Sequence, residues 1–387
     1  MTNYFSSNFK LGILGGGQLG KMLLSETRKY DIHTCVLDPS AVAPGRIASN
    51  EFFQGDLNDF DAVYEFGKKV DLLTIEIEAV NIAALEKLES EGLEIHPSPR
   101  ILKLIQDKAV QKQFYLDNDI PTSDFEIFEN KADTVLAIAS KDWPMPVVWK
   151  AATGGYDGFG VSICRTKEDL DNIGNQKGIL EELIPFEKEL AVVVARNKNG
   201  QTKSFPVVEM EFHPTANQVE YVISPSSISE RLKVQAQALA EQVADAYELC
   251  GILAVEMFLT KDGDILVNEV APRTHNSGHL TIEANYTSQF EQHLRAILNL
   301  PLGSTAVKAA GVMANLVGEE DHSGDVIYEG YQDLLDIDGV NIHIYGKKET
   351  RPFRKMGHVT VINKDVAEAR QLAEQAKNKI KVISKNA

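Results

Sequence analysis

The stretch Lys150-Ala-Ala-Thr-Gly-Gly-Tyr-Asp-Gly-Phe-Gly160 follows the apolar run Val147-Val148-Trp149 and leads into Val161-Ser-Ile-Cys164. It reads as strand, loop, strand. The glycines at 154, 155, 158 and 160 admit positive φ angles and let backbone N–H groups approach an anion, while Lys150 adds a charge at the loop's base. Such a loop suits a phosphate grip; an ordinary glycine-rich hairpin is the alternative. No Gly-Lys-Ser/Thr follows, so the Walker pattern is absent.

Further along, Ile252-Leu-Ala-Val-Glu-Met-Phe-Leu-Thr260 and Ile265-Leu-Val-Asn-Glu-Val270 flank Lys261-Asp-Gly-Asp264. A two-residue Asp-Gly turn would pair Lys261 with Asp264. Counting back sets Glu256 opposite Glu269 and Met257 opposite Asn268. Two facing carboxylates at roughly 5 Å, with an effective dielectric near 20, repel by about 3 kcal/mol. A shared proton or a divalent cation would offset this, and hard oxygen ligands beside a phosphate grip favour magnesium. A solvated carboxylate pair at a sheet edge is the alternative, disfavoured by the apolar flanks.

The 387 residues exceed what one core usually organises, so two or three domains are expected. Hydrophobic content of 43% and charged content of 25% are those of a globular protein. With 39 basic and 56 acidic residues the net charge is −17, which disfavours nucleic acid or an anionic membrane as main partner. Met1 to Asn8 shows no cationic flank or apolar segment, and nothing approaches a membrane span. A cytoplasmic protein is expected. Cys35, Cys164 and Cys250 are too scattered for a disulfide frame or a C-x-x-C zinc site and read as buried thiols.

At the start, strand Lys10–Leu14, the turn Gly15-Gly-Gly-Gln-Leu-Gly20, a helix from Lys21 to about Tyr30 and strand Thr34–Leu37 ending in Asp38 satisfy G-x-G-x-x-G with an acidic residue about 20 positions on. A dinucleotide site, a βαβ unit packed on its glycines, and a helix N-terminus holding another phosphate all fit. Alternation continues with helix Phe60–Lys69, strand Leu72–Glu76, helix Ile82–Glu91 and strand Leu93–His96. A helix from Pro99 to Leu116 follows. Strands are expected at Gly178–Ile184 and Lys188–Ala195; by default Glu181, Glu189 and His213 are surface or hydrogen-bonded residues.

Ala271-Pro-Arg-Thr-His-Asn-Ser-Gly-His279 precedes a helix from Thr281 to Leu298. His275 and His279 are four apart, as in zinc helices, yet Pro272 and Gly278 favour a substrate-facing loop or a structural turn. Beyond a linker at Leu300–Gly303 come strands near 311–317, 340–345 and 358–362, a helix Val366–Lys379 and a strand Lys381–Ser384. Lys347-Lys348 and Arg351-Pro-Phe-Arg-Lys355 form either a solvated basic loop or an anion site.

Thr153-Gly-Gly-Tyr-Asp-Gly158, Glu256 with Asn268-Glu269, the segment Ala271–His279 and Arg351-Pro-x-Arg-Lys-x-Gly-His358 together resemble the 5-(carboxyamino)imidazole ribonucleotide synthetases, ATP-grasp enzymes of de novo purine biosynthesis. Gly16-Gly-Gln-Leu-Gly20, Ile75-Glu-Ile-Glu78 and Asp107-Lys-x-x-Gln-Lys112 fit the same family. The likeness covers nearly the whole chain, and the Pro-Arg-x-His-Asn-Ser-Gly-His run with the C-terminal Arg/Lys motif is its most specific part.

The resemblance implies an α/β ATP-grasp fold, α+β in its ATP-grasp part. It has a Rossmann-like pre-ATP-grasp domain (1–105), an ATP-grasp domain (106–300, lid about 120–180) and a small C-terminal domain (301–387). It implies ATP- and bicarbonate-dependent carboxylation of 5-aminoimidazole ribonucleotide through carboxyphosphate, and a homodimer. By the same likeness Glu256, Glu269 and Asn268 hold magnesium, two ions with manganese as an alternative. ATP would meet Lys108, Lys150, Gly155, Tyr156, Asp157, Gly158, Phe159, Gly160, Val161, the hinge Glu181-Glu182-Leu183-Ile184, Glu189 and His213 as well as Asn268 and Glu269. The ribonucleotide would meet Gln18, Glu76, Tyr156, Asp157, Arg273, His275, Lys348, Arg351, Arg354 and Lys355. Asp157, Lys150, Arg273 and His275 are the implied catalytic residues, with Asp157 orienting or deprotonating the amine. Relatives often carry Arg or Lys where this chain has Phe159. A dehydrogenase, and an ATP-grasp ligase using formate in place of bicarbonate, are the rival readings.

Overall fold

The computed structural model describes residues 3–140, 143–154, 160–216 and 218–385. The first unit is a parallel five-stranded sheet. Glu51–Gln54, His33–Asp38, Lys10–Leu14, Leu72–Ile75 and Glu94–His96 lie side by side in that order. Helices cover both faces, so the inner strands are apolar throughout rather than alternating. Leu14, Leu37, Leu73 and Ile75 pack with Val63, Phe66 and Leu85 on one face. On the other, Leu11, Ile13, Val36 and Leu72 meet Leu23 and Leu24, but also Phe290, Leu294 and Ile297. The helix Gln289–Ile297 thus belongs to the core of this sheet, and its His293 Nε2 sits 2.9 Å from Thr74 Oγ1.

A four-stranded antiparallel lid sheet orders Phe125–Phe128, Gly178–Glu182, Val147–Ala151 and Val161–Cys164. Gly178–Glu182 passes through residues 183–185 into Phe186–Arg196, a strand of the main sheet, giving the lid one covalent hinge there. The main sheet has nine strands and carries Gly251–Thr260 and Ile265–Ala271 at one edge. It continues through Val208–Phe212, Val219–Ser224, Ala310–Val317 and Lys355–Asn363 to Val340–Ile344. Helix Glu230–Ala246 packs its Ala236, Ala240 and Val243 against Leu190, Val192, Val255 and Met257 of this sheet. The C-terminal helix Val366–Lys379 covers the far end.

Three local expectations are corrected. The helix expected over Pro99–Leu116 is two helices, Pro99–Gln106 and Lys108–Asp117. They break at Asp107, whose extended backbone and carboxylate cap the second helix by accepting from the N–H groups of Ala109 and Val110. The helix expected over Thr281–Leu298 likewise divides into Thr281–Ala284 and Gln289–Ile297, with Ser288 capping the second. The hairpin turn has three residues: Thr260 N–H donates to Asp264 at 2.9 Å, and Gly263 takes φ +88°. Met257 therefore faces Val267, not Asn268. A bulge at Asn268 restores the register, so Glu256 and Glu269 are indeed opposite. The sequence stretches at Glu51–Gln54, Thr202–Ser204, Val208–Phe212, Val219–Ser224, Glu230–Ala246 and Gly324–Glu329 also form elements that patterning did not single out.

Candidate active site

Strand alternation puts Glu189, Ala191, Glu256, Phe258 and Glu269 on one face of the main sheet, opposite the core packed under helix Glu230–Ala246. The bulge matters chemically. Val267 faces Met257 in that core, so in a regular strand Glu269 would point there too; the bulge instead brings to the cleft face both Asn268, whose Oδ1 accepts from Lys150 Nζ at 3.1 Å, and Glu269, which pairs with Lys108 Nζ at 3.1 Å. Glu256 is buried. Burial and the facing charges of Glu269 and Glu189 push its carboxyl well above the carboxylate range, while Lys108 holds Glu269 below it.

Lys150 is fixed from behind. Glu181, 3% exposed, ion-pairs with Lys150 at 2.7 Å and with Lys112 at 2.8 Å. Lys112, 2% exposed, also donates to Thr122 Oγ1 and Ser123 Oγ at 2.5 and 2.9 Å. Burial pulls Lys112 down to about 8 despite Glu181. The surface reading of Glu181 is thus corrected for its side chain: the carboxylate is a buried anchor for two lysines. Lys112 carried a signal in the sequence, lying four residues after Lys108 and so on the same side of one helix.

The loop after the hairpin meets the other two units. Arg273 Nε donates to Glu78 Oε2 at 2.8 Å. His275 Nε2 lies 3.3 Å from Glu256 Oε1, and its Nδ1 accepts the Ser277 N–H, which places the ring hydrogen on Nε2 toward Glu256. Burial first, then Arg273 and Lys355, hold His275 well below its ordinary value, so the ring is neutral. Lys355 also acts on Glu256 electrostatically, which brings the C-terminal unit to the same spot. His275 and His279 do not share a helix. His279 is buried against His358, ring centroids 4.7 Å apart, with Gln289 on its Nδ1.

Glu76 lies at the end of its strand, and its carboxylate accepts from the N–H groups of Gly17 and Gly20 at 2.8 and 2.7 Å; Asp38 accepts from Gly16 at 2.7 Å. A Cβ at Gly17 would stand 2.5 Å from Glu76 Oε1, so a larger residue there would push the carboxylate off these N–H groups. The donors that a dinucleotide pyrophosphate would need are taken by protein carboxylates, against the dinucleotide reading. Gln18, partly buried, opens the helix beside them.

Of the remaining expected residues, Gly160 and Val161 close the lid hairpin, with Val161 opposite Lys150. Glu182 is exposed, and Leu183 and Ile184 form the hinge. His213 lies past the end of Val208–Phe212, lining a cavity of about 170 Å³ with Phe353, Gly318 and Lys377. No contact joins it to the lysine–carboxylate group among the described residues. Arg354 donates to Glu349 O at 2.6 Å, while Lys348 and Arg351 are exposed. Gly155, Tyr156, Asp157, Gly158 and Phe159 lie outside the described residues.

Family models match end to end: a ribonucleotide synthetase preATP-grasp domain over residues 9–106, an ATP-grasp domain over 113–290, and a phosphoribosylaminoimidazole carboxylase C-terminal domain over 311–372. The N5-carboxyaminoimidazole ribonucleotide synthase of Synechococcus elongatus is 36% identical over 91% of this chain and 89% of its own length. The chain belongs to the N5-carboxyaminoimidazole ribonucleotide synthetase family. The synthetase of Thermotoga maritima has a solved structure 44% identical to it, with TM-score 0.89, covering 97% of this chain and 100% of that one. A synthase of Aspergillus clavatus, solved with ADP and 5-aminoimidazole ribonucleotide, is 31% identical with TM-score 0.87, covering 96% and 98%. The phosphoribosylaminoimidazole carboxylase of Saccharomyces cerevisiae is 36% identical over 93% of this chain, which spans 65% of that longer protein. Among the described residues no helix is long and apolar enough to cross a membrane.

One pH effect follows from this site. Burial, then Glu269, pushes Glu189 up to about 7. A carboxyl raised by folding stabilises the fold at pH values below the ordinary carboxylate range, and that contribution is lost as pH rises through about 7. Glu189→Gln is expected to flatten the fall in urea midpoint between roughly pH 5 and 8; an unchanged slope would exclude Glu189 as its source.

Proposed function

We propose that this chain carboxylates 5-aminoimidazole ribonucleotide on its exocyclic amine, using ATP and bicarbonate. The observation that carries the reading is one cleft in which Lys108, Lys150, Asn268, Glu256 and Glu269 adjoin Arg273, His275 and Lys355. Bicarbonate oxygen attacks the γ-phosphorus, giving ADP and carboxyphosphate. The amine then takes the carboxyl group, phosphate leaves, and the nitrogen gives up a proton. Lys108 and Lys150 neutralise charge on the transferring phosphoryl group, and Glu181 and Lys112 keep Lys150 from swinging away. Closure of the lid over the hinge excludes water from the carboxyphosphate. Arg273, pinned by Glu78, and Lys355 suit the substrate's anionic groups; neutral His275 directs its Nε2–H at an oxygen.

The donor set fits magnesium: two carboxylates and an amide oxygen on one face, with Glu256 pushed toward protonation in the absence of a cation. Glu256, Glu269 and Asn268 would hold it, and it would supply charge neutralisation at the phosphates.

An ADP-release assay with each component omitted in turn tests the proposal. Turnover is expected to need ATP, magnesium, bicarbonate and aminoimidazole ribonucleotide. A rate indifferent to the ribonucleotide, or supported by formate in place of bicarbonate, would replace this reading.

A further inference from the structure

At the other end of the first sheet, His33, Cys35 and Glu51 converge. His33 and Cys35 are two apart on one strand and so share a face, and Cys35 is the direct cross-strand partner of Glu51 on the edge strand. A ring nitrogen of His33, Cys35 Sγ and a Glu51 carboxylate oxygen all lie within 4.8 Å of one another. Cys35 is buried at the floor, while the side chains of His33 and Glu51, 36% and 39% exposed, leave an approach from solvent. This is the start of the strands, whereas Glu76 and the glycine turn lie at their ends. At about 3.3 Å per residue, His33 stands roughly 16 Å and Cys35 roughly 10 Å along the strand from Asp38 beside the glycine turn.

We propose that His33, Cys35 and Glu51 form a peripheral binding site for a divalent ion of the zinc class. The ligand chemistry selects the ion. One sulfur, one imidazole nitrogen and one carboxylate oxygen suit zinc or cobalt and are poor for magnesium or calcium. The charges balance as well: thiolate and carboxylate total −2, neutral His33 adds nothing, and water takes the fourth position. His33 Nε2 and Glu51 Oε1, now 2.8 Å apart, need to open only by a fraction of an ångström for tetrahedral ligation.

A cation already stands there. Lys10 Nζ lies 2.7 Å from the same Glu51 oxygen that His33 meets. Its side chain is 38% exposed, so the ammonium can leave for water when a divalent ion enters. Binding breaks the Cys35 S–H bond, releases that proton to solvent and forms a metal–sulfur bond. The ion would then pin the edge strand Glu51–Gln54 to its neighbour.

The test is cobalt titration of the full-length, metal-stripped protein in excess magnesium, which keeps the oxygen-rich cleft filled. A near-ultraviolet thiolate-to-cobalt charge-transfer band is expected to saturate at one equivalent. Cys35→Ser should abolish it, and His33→Gln, at a partly exposed position, should weaken binding about ten-fold or more. Lys10→Gln, removing the competing ammonium, should tighten it severalfold. No band in the wild type, a band that survives Cys35→Ser, or indifference to both His33→Gln and Lys10→Gln would overturn the site; that last outcome would leave Lys10, His33 and Glu51 an ordinary ion-pair cluster.

Discussion

Glu269→Gln is expected to lower ribonucleotide-dependent ADP formation by about 10²–10³-fold, equivalent to roughly 3–4 kcal/mol of transition-state stabilisation. The substitution is nearly isosteric, so the hairpin should keep its register. It removes half of the facing carboxylate pair and the partner of Lys108. Folding stability should move little, because the lost ion pair, with Glu269 half-exposed, is offset by relief of like-charge repulsion on Glu256. A large rate loss with an almost unchanged unfolding midpoint is therefore the signature. Magnesium affinity in the presence of nucleotide, followed by calorimetry, should fall in parallel. A variant keeping more than about a tenth of wild-type turnover at saturating magnesium would rule out the proposed metal role.

Glu181→Gln should behave in the opposite way, with stability suffering first. Its carboxylate neutralises two lysines, and one of them, Lys112, has no route to water. The hydroxyls of Thr122 and Ser123 can hold the ammonium's hydrogen bonds but not its charge. Breaking a buried pair by removing one partner typically costs about 3–5 kcal/mol. Adding Lys112→Met should recover much of that loss, because the stranded charge goes with it. The double variant should still bind ATP poorly, since Lys150 has lost its anchor. If Lys112→Met gave no recovery in the Glu181→Gln background, the buried charge would not be the cause of the defect.

How much of this was legible in the sequence differs from residue to residue. The facing of Glu256 and Glu269 could be counted from the turn, yet two departures cancelled: a three-residue turn shifted the register by one, and the bulge at Asn268 shifted it back. Counting finds pairs but not bulges, because a bulge is selected by what its side chains must reach. The strand bounds of Lys10–Leu14 and the last helix Val366–Lys379 were read correctly from hydrophobic period and breaker residues. The interior break at Asp107 was not, since Asp is tolerated inside helices and acts as a cap only when the backbone turns there. Glu181 looked like an ordinary strand residue. Its importance depends on Lys112 arriving from a distant helix and Lys150 from a neighbouring strand, a convergence that no local pattern encodes. Family likeness, by contrast, pointed to Arg273, His275 and Lys355, which lie in three-way reach of Glu256.

The main sheet passes without interruption from Val219–Ser224 to Ala310–Val317 and on through Lys355–Asn363 to Val340–Ile344. Lys355 is therefore carried on the same sheet as Glu256, while Lys348, Arg351 and Arg354 lie on the stretch that leads into its strand, and the four-stranded lid is a separate sheet. Severing the chain near residue 300 would not release a detachable module. It would strip the flank from Val219–Ser224, leaving an unpaired apolar rim that invites self-association. Ala310–Val317, Lys355–Asn363 and Val340–Ile344 are, mechanically, part of the plate on which Glu256 and Glu269 stand.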